Sequence, residues 1–127
     1  MSELSVAIDF PCTAAVVQDQ LVYSDSGTAT PTTAATDVPI GITRSGAVLQ
    51  ADGTYQCSVA VFGVVEYAIA SAPIALLADL MPAADGEVVT AGAGAGNVTF
   101  GRALDAASAA GDKIRVALYG PFSVAGA

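Results

Sequence analysis

The side chains that most often perform chemistry near neutral pH are scarce in this sequence. It contains no histidine, so its two thiols, Cys12 and Cys57, have no imidazole to activate them. A serine nucleophile lacks its usual base for the same reason. A carboxylate pair stays open as an alternative, because twelve Asp and Glu residues allow some pair to meet in the fold. We expect no catalytic site.

Metal ligands are also poorly arranged. A calcium loop places carboxylates at close alternating positions, whereas the early acidic residues are far apart: Asp19, Asp25, Asp37 and Asp52. Two cysteines do not form a zinc motif or a disulfide framework, and a single bridge between them stays open. The sequence therefore predicts no metal and no cofactor.

Three glycines, Gly92, Gly94 and Gly96, alternate with alanine before Asn97 and could suggest a phosphate cradle. The segment lacks the Lys-Ser or Lys-Thr ending of a P-loop and does not match a dinucleotide fingerprint. We interpret it as a flexible hairpin or crossover loop. Its small side chains would let another backbone approach, so a subunit contact is a secondary use.

The charge distribution argues against nucleic acid as a partner. The net charge is −8, and the only basic residues are Arg44, Arg102, Lys113 and Arg115. No basic patch is present in the sequence to release counterions from DNA or RNA. The acidic residues are spread along the chain, which is typical of a solvated surface.

Neither a secretory signal nor a membrane span is expected. The start, Met-Ser-Glu-Leu, has no basic and apolar leader pattern. The longest apolar stretch, Tyr67 to Ala78, is shorter than the roughly 20 residues of a spanning helix and contains Pro73. We therefore expect no membrane partner and synthesis in the cytoplasm.

Length and composition indicate one globular domain over residues 1–127. Hydrophobic residues make up 54% of the chain and charged residues only 13%, which is the opposite of a disordered composition. Trp is absent and Ala, Gly and Val are abundant, so the core should consist of small side chains. A core of this kind is often stabilised by packing against further copies or a larger partner.

Alternating hydrophobicity predicts an all-β domain of about 8–9 short strands, a sandwich or barrel-like fold for which a β-tulip-like form is one version. The first strand carries Leu4, Val6, Ile8 and Phe10 on one face, and Pro11 should end it. Further strands are predicted at 20–23, 38–43, 55–61, 64–68, 79–81, 87–91, 98–104 and 112–119. At most one short helix is expected, within Ala72 to Ala78, with Pro73 in its first turn.

A long polar stretch, Ser24 to Thr36, follows the second strand. It is rich in Ser, Thr, Gly, Ala and Pro. We interpret it as a surface loop, and loops of this length commonly make contacts or move.

The chain contains an internal echo. Pro39 to Thr43 parallels Thr99 to Ala103, and Val59 to Gly63 parallels Val116 to Gly120. Gly41 and Gly101 are 60 residues apart whereas Gly63 and Gly120 are 57 apart, a difference that one turn can absorb. One explanation is a tandem arrangement of a first β unit (19–63) and a second β unit (79–120). The alternative is chance similarity, because a chain rich in Val, Ala and Gly gives frequent chance matches. An N-terminal strand or arm (1–18) and a tail (121–127) complete the division, and Cys57 then aligns with Ile114 as a core residue.

These segments together resemble the phage capsid cement family, the small decoration proteins of tailed-phage heads, over about residues 19–120. The resemblance lies in Pro39 to Thr43, Val59 to Val65, Asp79 to Val89, Phe100 to Ala106 and Gly111 to Leu118. It implies a β-rich structural protein without enzymatic activity, on the outer surface of the virion head. It also implies the major capsid protein and further copies of itself as partners, as a homotrimer at threefold and quasi-threefold positions.

Two surfaces are candidates for the capsid or subunit contact. One is the first strand, through Leu4, Val6, Ile8 and Phe10, which could add to an edge strand of the shell or of a neighbour. The alternative, that this segment is simply the first strand of its own barrel, is equally open. The other surface is the polar loop, through Thr28, Thr30 and Pro31. A receptor-binding or adhesin-like surface module is the alternative function.

Overall fold

The computed structural model describes residues 7–61, 65–94 and 96–124, with side chains up to Tyr119. The all-β prediction is confirmed. The described strands are β1 Ala7–Cys12, β2 Leu21–Asp25, β3 Thr28–Pro31, β4 Pro39–Thr43, β5 Val48–Leu49, β6 Tyr55–Ala60, β7 Val65–Ile69, β8 Asp79–Pro82, β9 Val88–Thr90, β10 Val98–Ala103 and β11 Lys113–Val124. A single 3-10 turn, Ala84–Gly86, is the helical segment of this part of the chain.

The first sheet contains β1 to β6 and closes on itself. Its strand order is β1-β3-β2-β4-β6-β5, and β1 also pairs with β6. The ring is closed by one parallel pair, Cys12 with Ala29, and by an antiparallel ladder of six pairs between β1 and β6. The short β5 flanks β6 outside the ring.

The second sheet contains β7 to β11 in the order β7-β11-β10-β8-β9. Each of its pairings has a counterpart in the first sheet: β7–β11 corresponds to β1–β6, β10–β11 to β4–β6, β8–β10 to β2–β4 and β8–β9 to β2–β3. A parallel bridge from Ala70, just after β7, to Val88 in β9 matches the Cys12–Ala29 pair. The two sheets therefore share one connectivity.

One glycine in each sheet allows a very close approach of two backbones. A Cβ on Gly41 would collide with the carbonyl oxygen of Ala60, and a Cβ on Gly101 would lie 2.5 Å from the carbonyl oxygen of Ala117. Real Cβ atoms do not approach backbone oxygens this closely. Glycine is therefore required where β4 crosses β6 and where β10 crosses β11.

The prediction of a loop over Ser24 to Thr36 is wrong from Ser24 to Pro31. Ser26 and Gly27 both take positive φ, 54° and 87°, and join β2 to β3 as a two-residue hairpin. This turn geometry matches the twist of the flanking strands, so the Ser-Gly pair favours a hairpin. The stretch thus contributes strand β3 to the first sheet.

The helix predicted within Ala72 to Ala78 is absent from the described structure. Ile74 instead exchanges backbone hydrogen bonds with Ala107, and the N–H of Leu77 donates to the carbonyl of Ala103. These bonds direct the backbone outward to neighbouring segments, which a helix cannot do. Among the described residues, no helix is both long and apolar enough to cross a membrane.

Strand ends also differ from the predictions. β1 continues through Pro11 to Cys12. The N–H of Thr13 donates to Ala29 on the side away from β6, and alternation points the Pro11 nitrogen to that same side. Proline therefore removes no hydrogen bond from the ladder between β1 and β6. β11 runs to Val124, so residues 121–124 extend the last strand. Residues 125–127 lie outside the described residues.

Two hydrophobic clusters form the core. One fills the first sheet and contains Cys12, Val16, Val22, Ala29, Cys57 and Val59. The larger one belongs mainly to the second sheet, but it also includes Leu21 and Ile42 from the first sheet, both fully buried. Burying side chains of this size stabilises the fold by about 1.5–3 kcal/mol each, so the two sheets depend on each other.

Hydrogen bonds and ion pairs reinforce the contact between the sheets. The buried Thr32 hydroxyl donates to the carbonyl of Ala83 at 2.9 Å, and Gly86 N–H donates back to the Thr32 carbonyl at 3.0 Å. The Arg44 Nε atom lies 2.6 Å from Glu66 Oε2. These polar contacts give the sheets a defined relative position.

Replacing Gly41 or Gly101 by alanine should destabilise the fold by about 3 kcal/mol, because the new methyl group must displace a backbone carbonyl. Chemical denaturation of the purified variants measures the loss. Gly92→Ala is the matched control, since its Cβ would meet only the Met81 methyl at 3.8 Å, and its effect should stay within about 0.5 kcal/mol. Equal stability of all three variants would contradict the close-approach explanation.

Candidate functional site

The two cysteines, which are the strongest nucleophile candidates in the sequence, lie inside the first sheet. Cys12 is 6% exposed and Cys57 is 2% exposed, and both are free thiols. Burial raises the pKa of Cys57 to about 12, with contributions from its hydrogen bond to Cys12 and from the charge of Asp9. A buried protonated thiol is a poor nucleophile, so Cys57 acts as a core side chain.

Several carboxylates accept hydrogen bonds from backbone N–H groups. Asp37 Oδ2 accepts the backbone N–H groups of Thr33 and Ala34 and the Thr33 hydroxyl, at 2.7–3.1 Å. Asp112 Oδ2 does the same for Ser108 and the residue after it, and these hydrogen bonds lower the pKa of Asp112. Their lone pairs are engaged in closing turns, which leaves them poorly suited to acid–base work.

Four other carboxylates are paired with cations: Asp19, Glu66, Asp79 and Asp105. Asp105 binds Arg115 through both oxygens, at 2.9 and 3.0 Å, and these bonds hold the pKa of Asp105 at about 2. In the described part of the chain, no cluster of three or more His, Cys, Asp or Glu side chains could hold a metal ion.

The glycine loop lies between β9 and β10, as predicted. The Asn97 side chain donates to the carbonyl of Gly92 at 3.1 Å, and the Asn97 N–H donates to the carbonyl of Gly94 at 3.1 Å. The Asn97 donors are thus used within the loop. A polar depression elsewhere, beside β6, has a volume of about 170 Å³, which is below the roughly 300–1,000 Å³ typical of ligand pockets.

The structure brings the two predicted contact segments together. Ile8 and Phe10 lie on β1, while Thr28, Thr30 and Pro31 lie on β3, the neighbouring strand in the first sheet. Leu4 and Val6 lie outside the described residues. We call this surface, comprising the free side of β1 and the adjacent β3, the β1–β3 edge.

The free side of β1 carries backbone groups that the described strands leave unpaired. β1 and β3 are joined at Cys12 with Ala29, and the N–H of Thr13 donates to the Ala29 carbonyl at 3.1 Å. Because successive residues of a strand direct their backbone groups to opposite sides, Ala7 and Asp9 present N–H and C=O on the side away from β6. Sequence reasoning overlooked Asp9, although Pro11 at the same parity was a signal of an edge strand.

Side chains along the β1–β3 edge are only partly covered. Ile8 is 47% exposed, although its partner Val59 on the same face is fully buried. Phe10 is half-buried against the first-sheet core. Thr28 and Thr30 flank the buried Ala29 and point to the other face of β3. The edge thus combines backbone groups that the described strands leave unpaired with apolar side chains at its rim.

In the described part of the chain, the surfaces open to a partner are sheet edges and faces. The family model described as phage cement protein matches residues 6–118, and the chain belongs to that family. It is a structural protein of a phage head. No curated protein matches the sequence.

A solved structure with the same fold is the head fiber gp8.5 N base of bacteriophage phi29. The TM-score is 0.65 at 16% sequence identity, and the match covers 94% of this chain and 99% of that one. At this identity the likeness is one of fold.

The native thiols should resist modification. A thiol-specific disulfide reagent at pH 8 should label the folded protein at least tenfold more slowly than the denatured protein, because the pKa of Cys57 is raised and both sulfurs are buried. A raised pKa also means that stability is present below the unfolded pKa of about 8.5 and declines as pH rises from there toward 12. Cys57→Ala should flatten that decline. Rapid native labelling would contradict the buried assignment.

Proposed function

We propose that this protein is a head decoration protein that binds the outside of the mature icosahedral capsid and stabilises it against the pressure of packaged DNA. The observation that carries the proposal is the match of the phage cement family model over residues 6–118. The phi29 head fiber neighbour supports a role at the phage head through its shared fold.

Stabilisation by such a protein follows from linkage. A ligand that binds the mature lattice and not the immature or disrupted one lowers the free energy of the mature state. At a free concentration one hundred times the dissociation constant, each site contributes about 2.7 kcal/mol. Many sites on one shell multiply this contribution, so weak individual contacts suffice.

The β1–β3 edge is the surface that we propose for the capsid contact. Its outward backbone groups at Ala7 and Asp9 can accept an extended segment of the major capsid protein as an added strand. Phe10 would be covered by that segment, while Thr28, Thr30 and Pro31 would contact the end of the segment that lies nearest β3. Main-chain pairing of this kind requires no basic patch, which suits an acidic protein of net charge −8.

Copies of the chain are the second proposed partner. We infer a homotrimer at threefold and quasi-threefold positions on the outer surface of the head, where one trimer can span neighbouring capsomers. A core of small side chains gains stability from such packing.

The contact can be tested with expanded, protein-depleted capsids. Asp9→Pro should bind them at least tenfold more weakly, because it removes an outward N–H from the edge while leaving the ladder to β6 intact. The chain already places Pro11 at the same parity, so the variant should fold. Cosedimentation with capsids over a concentration series measures the affinity.

Asp9→Ala is the matched control, since it removes the carboxylate and keeps the N–H, and it should bind like the unchanged protein. Equal binding of the Pro and Ala variants would reject the β1–β3 edge as the contact. If the unchanged protein bound cells or glycans and not capsids, the decoration function would be rejected and an adhesin-like module supported.

A further inference from the structure

Equivalent positions of the two sheets make the same backbone bonds. Asp19 and Leu77 both take positive φ, 65° and 66°. The N–H of Asp19 donates to the Thr43 carbonyl at 3.0 Å, and the N–H of Leu77 donates to the Ala103 carbonyl at 2.9 Å. The two turns are therefore structural counterparts, one before β2 and one before β8.

Arg44 and Leu104 are counterparts by the same criterion. The N–H of Arg44 donates to the Ser58 carbonyl at 2.8 Å, and the N–H of Leu104 donates to the Arg115 carbonyl at 2.8 Å. Each residue directly follows the glycine-containing strand of its sheet, β4 or β10.

Within the chain, the second sheet covers this surface of the first sheet. Asp19 forms an ion pair with Lys113 at 3.1 Å, and Arg44 forms one with Glu66 at 2.6 Å. Asp19 is accordingly only 9% exposed. The chain thus shows how one sheet of this connectivity packs against another.

The counterpart surface of the second sheet is open. We call it the leucine face: Leu76, Leu77, Asp79, Arg102 and Leu104. Leu76 is 59% exposed and Leu77 is 56% exposed. Four of its five residues are thus exposed in this chain, and Leu104 is half-buried.

The backbone of Leu77 makes its exposure informative. The left-handed region is disfavoured for residues with a bulky side chain, and Asp or Asn tolerates it better. The counterpart position holds Asp19, which suits that conformation. Leu77 has a strained backbone, and its exposed side chain makes little apolar contact within the chain to offset that strain. This combination points to an apolar contact with another molecule.

The surface of the second sheet that contacts Arg44 and Asp19, formed by Glu66 and Lys113, also has an open counterpart on the first sheet. Glu66 pairs with Val116 in the second sheet, and Ile8 pairs with Val59 in the first, where each valine contacts the close-approach glycine of its sheet. Ile8 is therefore the counterpart of Glu66.

Gln56 is likewise the counterpart of Lys113. Each directly precedes the buried residue that aligns across the sheets, Cys57 or Ile114. Gln56 is exposed, and Ile8 is 47% exposed. The surface that would receive a leucine face is thus uncovered in the chain.

We propose that the leucine face of one copy docks on the surface around Ile8 of β1 and Gln56 of β6 in a second copy. This contact would repeat between chains the contact that joins the two sheets within one chain. In this arrangement Leu104 meets Ile8 where Arg44 meets Glu66 in the chain, and Leu77 meets Gln56 where Asp19 meets Lys113. Each ion pair of the contact within the chain corresponds to two uncharged residues in the contact between copies. Neither open surface therefore places an unpaired charge against the other.

The centre of the contact between copies differs from the one within the chain. Leu21 and Ile42 are fully buried, whereas their counterparts Asp79 and Arg102 form an ion pair at 3.4 Å with both side chains 50% exposed. A polar centre makes the contact between copies weaker and reversible. It forms when copies are held close together, as on a shell.

The contact is head-to-tail, because it joins two different surfaces. Such contacts close into a ring when the rotation allows. The inference rests on the self-association in the proposed function and is independent of capsid binding.

Sedimentation equilibrium of the full chain tests the proposal. Leu77→Asp should weaken self-association at least tenfold, and Asp19 indicates that aspartate fits this backbone conformation. Val38→Asp is the matched control, since Val38 is 56% exposed and the change in charge is the same, and it should associate like the unchanged protein. An unchanged protein that stays monomeric at about 1 mM, or a Leu77→Asp variant that associates equally tightly, overturns the proposal.

Cross-linking tests the pairing of the two surfaces. Gln56→Cys and Leu77→Cys variants, mixed and treated with a short bis-maleimide, should give a mixed dimer at least tenfold more abundant than the dimers from either variant alone. An equal yield in all three samples overturns the head-to-tail contact. A Leu77→Asp protein that still binds capsids leaves the proposed function intact, whereas normal self-association without capsid binding rejects that function alone.

Discussion

The close approach of two backbones at a glycine is the constraint on which the fold depends. A ring of five strands is strongly curved, and glycine allows such curvature where two backbones come very close. Gly41 against the Ala60 carbonyl and Gly101 against the Ala117 carbonyl meet this requirement in the same way. The pairings that bring β1 to β3, and the end of β7 to β9, follow from that curvature.

Hydrogen bonds of surface carboxylates also stabilise the fold. The acidic residues do more than keep the protein soluble, because Asp37, Asp105 and Asp112 hold turns and strands through hydrogen bonds to the backbone or to arginine. The lowered pKa values of Asp105 and Asp112 reflect those bonds. These three carboxylates thus stabilise the structure.

A protein of this kind acts through edges and faces. The two sheets have one connectivity but different surroundings: the surface around Leu21 and Ile42 is buried in the chain, whereas the leucine face is open. On the first sheet, the β1–β3 edge is open as well. The presence of two sheets with one connectivity thus supplies both a stable core and open contact surfaces, which suits a member of the phage cement family.

The sequence by itself determined the all-β class, the positions of most strands and the core role of Cys57, because alternation along a strand is a local signal. The similarity of Pro39 to Thr43 and Thr99 to Ala103 was also readable, since both segments carry the close-approach glycine. No local sequence pattern connects the candidate contact residues on β1 with those on β3.

Only the tertiary structure decided that β3 lies beside β1, that Ala72 to Ala78 is not helical, and that Leu21 and Ile42 complete the core of the other sheet. Each of these depends on partners far away in the chain: Ala29 for Cys12, Ala107 for Ile74 and the second sheet for Leu21. Hydrogen bonds and burial across such separations override local propensity, and the sequence pattern carries no sign of which segments will meet.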